Sequence, residues 1–171
     1  MVKLIGAVMI LFASTWIGFE IAGRFGKRTR LLRELKVALQ SLEAEIVFSQ
    51  KPIKAAASDL AGQLEQPLSH FFSQFSSILS GGGKNTKAAW EESLEQLAAS
   101  STLQKNELEV MRQFGETLGR HDLISQQKHI KLAMVHLERE ETEAADRQNR
   151  YERMIKSIGF LSGLLLVIVL L

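Results

Sequence analysis

Both ends of the chain are apolar, and the charges beside them lie on the inner flanks, which constrains the fold before any helix is placed. Leu4 to Phe19 carries no charge and the apolar run continues past Glu20 to Gly23. Ser157 to Leu171 is uncharged and made mostly of Leu, Ile and Val. Arg24, Lys27, Arg28, Arg30 and Arg33 follow the first run; Arg147, Arg150, Arg153 and Lys156 precede the second; Lys3 alone lies outside. Loops rich in Lys and Arg stay on the cytoplasmic side, so the pattern predicts a cytoplasmic middle and two tips on the far side. The expected organisation is an N-terminal transmembrane anchor over 1–23, a cytoplasmic helical domain over 24–156 and a C-terminal transmembrane helix over 157–171.

Each run has a competing reading. The first could be a cleaved signal peptide, with Ala13-Ser14-Thr15 as a poor small-residue cleavage site. A single lysine ahead of it and the basic cluster behind it, which resists translocation, favour an uncleaved anchor. The second run is short: about 15 residues of helix rise roughly 22 Å, against about 30 Å of hydrocarbon. Met154 and Ile155 can extend it while Arg153 and Lys156 snorkel to the headgroups. The alternative is a buried core helix, disfavoured because no polar face interrupts the run. Ser14, Gly18 and Ala22 share one face of the first run, and Gly159 and Gly163 one face of the second. Small residues at that spacing let helix backbones approach closely in lipid, although Gly and Ala are also common in any membrane helix.

A chain of 171 residues, less two spans, has room for one domain with a modest core. The mean hydropathy of +0.02 averages apolar ends with a polar middle. A net charge of +2 does not point to nucleic acid, since the basic surplus sits at the flanks where Lys and Arg meet anionic headgroups. The absence of cysteine excludes disulfides, thiolate nucleophiles and thiolate metal sites.

Every patterned segment of the middle reads as helix and none as strand. Leu32, Leu35, Leu39, Leu42 and Ile46 form a narrow seam with alternating three- and four-residue steps. Pro52 suits the first turn of a second helix burying Ile53, Ala56, Ala57, Leu60 and Leu64. Pro67 opens a third with Leu68, Phe71, Phe72, Phe75 and Leu79, and Gly81-Gly82-Gly83 breaks it. Asn85 or Thr86 caps a fourth with Trp90, Leu94 and Leu97. Ser101 or Thr102 caps a fifth with Leu103, Leu108, Met111, Phe114 and Leu118, which Gly119 ends. Asp122 or Ser125 caps the sixth, which carries Ile130, Met134 and Leu137 and can continue into the C-terminal run. The fold class is therefore all-α, a six-helix antiparallel bundle flanked by two transmembrane helices.

No catalytic constellation emerges. Gly81-Gly82-Gly83-Lys84-Asn85 fails as a phosphate loop, with Ile78 where the first glycine belongs and Asn85 where Ser or Thr belongs. His129 and His136 are about 10 Å apart along a helix axis, too far to share one ion easily. Glu91/Glu92 and Glu140/Glu141 point in different directions on a helix and read as solvated faces. No cofactor or metal is expected, and the chain does not read as an enzyme. The densest polar stretch is Phe114 to Lys131, FGETLGRHDLISQQKHIK. It reads either as a capped corner between two helices or as a docking surface built on such a corner, where backbone N–H groups are free at the new helix start. The candidate interface is Gly115, Glu116, Gly119, Arg120, Asp122, Gln126 and Lys128, the two glycines setting geometry.

The blocks LKVALQSLEAEIVFSQKPI (Leu35 to Ile53) and FGETLGRHDLISQQKHIKLA (Phe114 to Ala133), between an apolar N-terminal run and IKSIGFLSGLLL (Ile155 to Leu166), resemble the stage III sporulation protein AB family of endospore-forming bacilli over essentially the whole chain. That family is similar in its soluble part to the cytoplasmic helical domains of the platform protein of type II secretion and type IV pili. The resemblance implies a six-helix domain in the mother-cell cytoplasm, anchored in the outer forespore membrane, within the complex linking mother cell to engulfed forespore. It implies an AA-type secretion ATPase and other membrane proteins of that complex as partners, leaves a homo-oligomer open, and brings no catalytic residues. The leading expectation is a non-enzymatic platform that docks the ATPase; the alternative is a membrane-anchored regulatory or sensor module binding a cytoplasmic signalling partner.

Overall fold

The computed structural model describes Trp16, residues 26–119 and residues 123–170. Among them every regular element is helical. In chain order these are α1 (26–43), which runs into a π-helical turn Ala44–Phe48, then α2 (Ile53–Gln63), α3 (Leu68–Ser80), α4 (Thr86–Ser100), α5 (Lys105–Thr117) and α6 (Leu123–Leu170). The six predicted helices are present, and α6 runs unbroken to Leu170. Packing divides the chain into two compact units, Arg30–Glu141 on one hand and Met1–Thr29 with Thr142–Leu171 on the other.

Within Arg30–Glu141 the α1 seam is the floor of the core: Leu32, Leu35, Leu39 and Leu42 are fully buried and Ile46 nearly so. The helices α2 to α5 pack in sequence, each on the next. Ser69 Oγ donates to the Ala61 carbonyl (2.7 Å) and Ser76 Oγ to that of Lys54 (3.1 Å), so α2 and α3 are antiparallel. Trp90 of α4 is the hub: its ring meets Phe71, Phe75 and Phe114 edge-on at centroid distances of 4.8, 5.1 and 5.2 Å. Such pairs contribute about 0.5–1.5 kcal/mol each beyond burial. Lys36 bonds Glu141 at 3.1 Å and Arg33 bonds it at 3.0 Å, fastening α1 to α6.

The helix starts follow local chemistry, with two corrections. Pro52 and Pro67 stand immediately before α2 and α3, and the Asn85 side chain accepts from Ala88 N–H (2.8 Å) to cap α4. The cap of α5 is neither Ser101 nor Thr102 but Gln104, whose N–H donates to the Glu107 carboxylate in a capping box. Glu107 reaches back because Leu103 is buried just ahead of the cap, which fixes the entry of the chain. Ser125 lies inside α6 rather than at its cap. The π-turn, unseen in the sequence, inserts an extra residue into the end of α1; Ile46 stays buried while Phe48 emerges 74% exposed. Lys51 then ties the turn to α2, its ammonium contacting Glu45 (2.6 Å) and Asp59 (3.0 Å).

In the other unit Arg28, Thr29 and Ala144 are buried, and Gly26 faces the Gln148 side chain. The basic cluster after the first apolar run is thus shared out: Arg28 is buried, and Arg30 and Arg33 hold carboxylates of the bundle instead of facing outward alone. Among the described residues no helix is long and apolar enough to cross a membrane. The anchor expected over 1–23, with Ser14, Gly18 and Ala22, lies outside the described residues apart from Trp16. Residues 157–170 are helical as the end of α6, yet that uncharged stretch alone is shorter than the about 20 residues a span requires. Gly159 and Gly163 lie in it.

Candidate partner interface at the α5–α6 corner

The corner grows from α5 outward. Gly115 is buried in the last turn of α5, and a Cβ there would press against Cδ1 of Trp90 and stand 2.8 Å from its Cγ and Nε1. Only glycine lets the Trp90 ring lie flat on the helix, with its indole N–H donating to the Met111 carbonyl at 2.8 Å. Leu118 leaves the helix in an extended conformation with its side chain buried. Gly119 then takes φ +87°, a conformation that other residues reach only with strain. Thr86 Oγ1 would lie 3.1 Å from a Cβ at that position, so the start of α4 closes over the turn. Lys87 and Glu116 join across the same edge at 2.7 Å, both about half exposed.

The candidate residues separate on this frame. Gly115 packs against Trp90 inside the last turn of α5, and Gly119 takes the positive φ just after the helix. Glu116 and Lys128 are exposed. Gln126 is 4% exposed, and its amide Nε2 has no hydrogen-bond partner among the described residues, so its side chain is buried and offers a partner no surface. Arg120 and Asp122 lie outside the described residues. Beside the corner, α5 and α6 leave an open groove lined by Gln113, Glu116, Thr117, His129, Leu132 and His136. Among the described residues no group of three His, Cys, Asp or Glu side chains could hold a metal.

Two features escaped sequence reasoning. The contact between Gly115 and Trp90 had a visible signal, a lone glycine inside a helical pattern, but its partner was not legible. The second is an outward apolar stripe on α6: Ile124, Leu132 and Val135 are 79%, 51% and 62% exposed.

An all-α bundle with a glycine-set polar corner is the class of molecule these elements define. The family model for "Stage III sporulation protein AB (spore_III_AB)" matches residues 3–171. The chain is 53% identical over 171 residues to the Stage III sporulation protein AB of Bacillus subtilis (strain 168), covering all of both. A solved structure of a Stage III sporulation protein AB, 51% identical, superposes with a TM-score of 0.69 over 72% of this chain and 98% of the other. This chain belongs to the stage III sporulation protein AB family.

Proposed function

We propose that the chain is a non-enzymatic platform of the mother cell–forespore complex in sporulation, and that its bundle docks an AA-type secretion ATPase. The reading places domain 24–156 in the mother-cell cytoplasm, held at the outer forespore membrane by spans over 1–23 and 157–171. The observation that carries it is the α5–α6 corner. Gly115 is locked against Trp90 and Gly119 turns the chain beside Thr86, while Glu116 and Lys128 carry exposed charge of both signs. An ATPase that does mechanical work at a membrane must grip a membrane-held element that does not yield, and a braced corner with mixed charge meets that need. The apolar ends with inward-facing basic flanks support the anchoring half of the reading.

The test exchanges charges without changing their sum. Asp122→Lys with Lys128→Asp in the full chain should leave membrane content and the unfolding temperature unchanged while the ATPase no longer co-purifies in detergent. Unchanged ATPase recovery would reject the corner as the docking surface. Recovery of a kinase or transcription factor in place of an ATPase and its membrane assembly would favour a regulatory module.

A further inference from the structure

The helix α6 has two apolar faces inside the unit Arg30–Glu141. One, of Ile130, Ala133 and Leu137, is buried in the bundle. Leu132 and Val135 project from the opposite side, with Lys128 and Lys131 exposed on the same stripe. From Leu123 to Leu137 there is no acidic residue. A stripe that is apolar, positive and turned away from its own core is a surface built for cover.

A matching surface lies on the same unit. Between α4 and α5 runs a groove of about 250 Å³, floored by Leu94, Ala98 and Leu108 and edged by Glu91 and Glu95 on α4 and by Arg112 on α5, whose charge is held by Glu109 at 2.7 Å. An apolar cavity of ~150 Å³ holds a benzene molecule, so this groove can take an aliphatic side chain. Glu91 and Glu95 are about 6 Å apart along α4, and Lys128 and Lys131 about 4.5 Å apart along α6, spans that long side chains bridge. Among the described residues Glu91 pairs only loosely, at 3.9 Å with Lys87, which leaves its charge available.

We propose that these two faces are one interface between copies of the chain: α6 of one copy seats Leu132 and Val135 in the α4–α5 groove of the next, and Lys128 and Lys131 face that copy's Glu91 and Glu95. Two different surfaces meet, so the contact is head-to-tail and each copy keeps one face of each kind for a further neighbour. Such assemblies close into rings or continue as filaments. Lys128 belongs to the candidate ATPase surface as well, and Leu132 also lines the groove beside Glu116, so the self-contact is probed at Ala98, Glu95 and Lys131 with Lys128 and the corner glycines left in place.

The lack of cysteine makes the test clean. Full-length chains in membranes carry Ala98→Cys, Leu132→Cys or both, and are treated with a mild oxidant. The double variant should give a ladder of dimers, trimers and higher species. A mixture of the two single variants should give dimers, and neither single variant alone should. Gly62→Cys on α2 replaces Ala98→Cys as the background pair, since nothing lies within 4 Å of a Cβ there. Lys131→Glu should lower the mixed-dimer yield about fivefold, and Glu95→Lys in the other chain should restore it. The proposal falls if the Ala98–Leu132 pair links no better than the Gly62 background. It falls equally if Leu132→Cys links to itself or to another membrane protein, or if the charge exchange fails to restore the yield.

Discussion

A methyl group in place of the Gly115 hydrogen would drive into the Trp90 ring, and the ring has nowhere to go, because Phe71, Phe75 and Phe114 stand edge-on around it. Overpacking of this kind costs about 1–3 kcal/mol, so Gly115→Ala should lower the stability of the full chain in detergent by about that amount. Gly62→Ala is the contrast: it sits in α2 in open space, and should be neutral or stabilise by about 0.5–1 kcal/mol through the lost freedom of the unfolded chain. Denaturant unfolding of the two variants side by side separates the roles of the two glycines. If both behave alike, Trp90 yields and its packing does not require glycine at 115. Composition and spacing show that both positions are glycine; only the tryptophan from another helix explains why one must be.

The clip between α1 and α6 gives an element-scale test through pH. Burial pushes the Glu141 carboxyl upward, but the hydrogen bonds and charges of Lys36 and Arg33 outweigh it and hold it below the ordinary carboxylate range. A carboxylate depressed in the folded state contributes stability that is present above its unfolded pKa, about 4.3, and is lost as pH falls through the lower folded value. The stability gap between the natural chain and Glu141→Gln should therefore be full near neutral pH and close as the pH drops below about 4. A gap unchanged by pH would show that the ion pair contributes nothing. The seam of α1 is the other element-scale feature. Leu39→Ala removes a fully buried side chain and should cost about 2–5 kcal/mol, read from the same unfolding curves. That seam was legible because a three- and four-residue step is the helix's own period. The start of α5 was not: Ser101 and Thr102 looked like caps by residue type, and Gln104 prevailed because Glu107 could reach its N–H.

For the whole molecule, the charge pattern of the two apolar ends predicts on which side the middle lies. Gly82 is an exposed loop residue at φ +69° with open space around it, so an insertion there should leave the bundle intact. A reporter that works only in the cytoplasm should be active at Gly82, and one that needs export should be silent; the reverse result would overturn the proposed topology. By itself the sequence determined the helical class, the six elements and most of the core, because burial of one face imposes a period that is written into consecutive residues. It also carried the family, through the blocks around Leu35–Ile53 and Phe114–Ala133. Only the tertiary structure decided that Trp90 dictates Gly115, that Gln126 is buried instead of offered, and that α6 turns Leu132 and Val135 away from its own core. Those facts join residues far apart in the chain, and a local pattern can say that a side chain wants cover but not which surface supplies it.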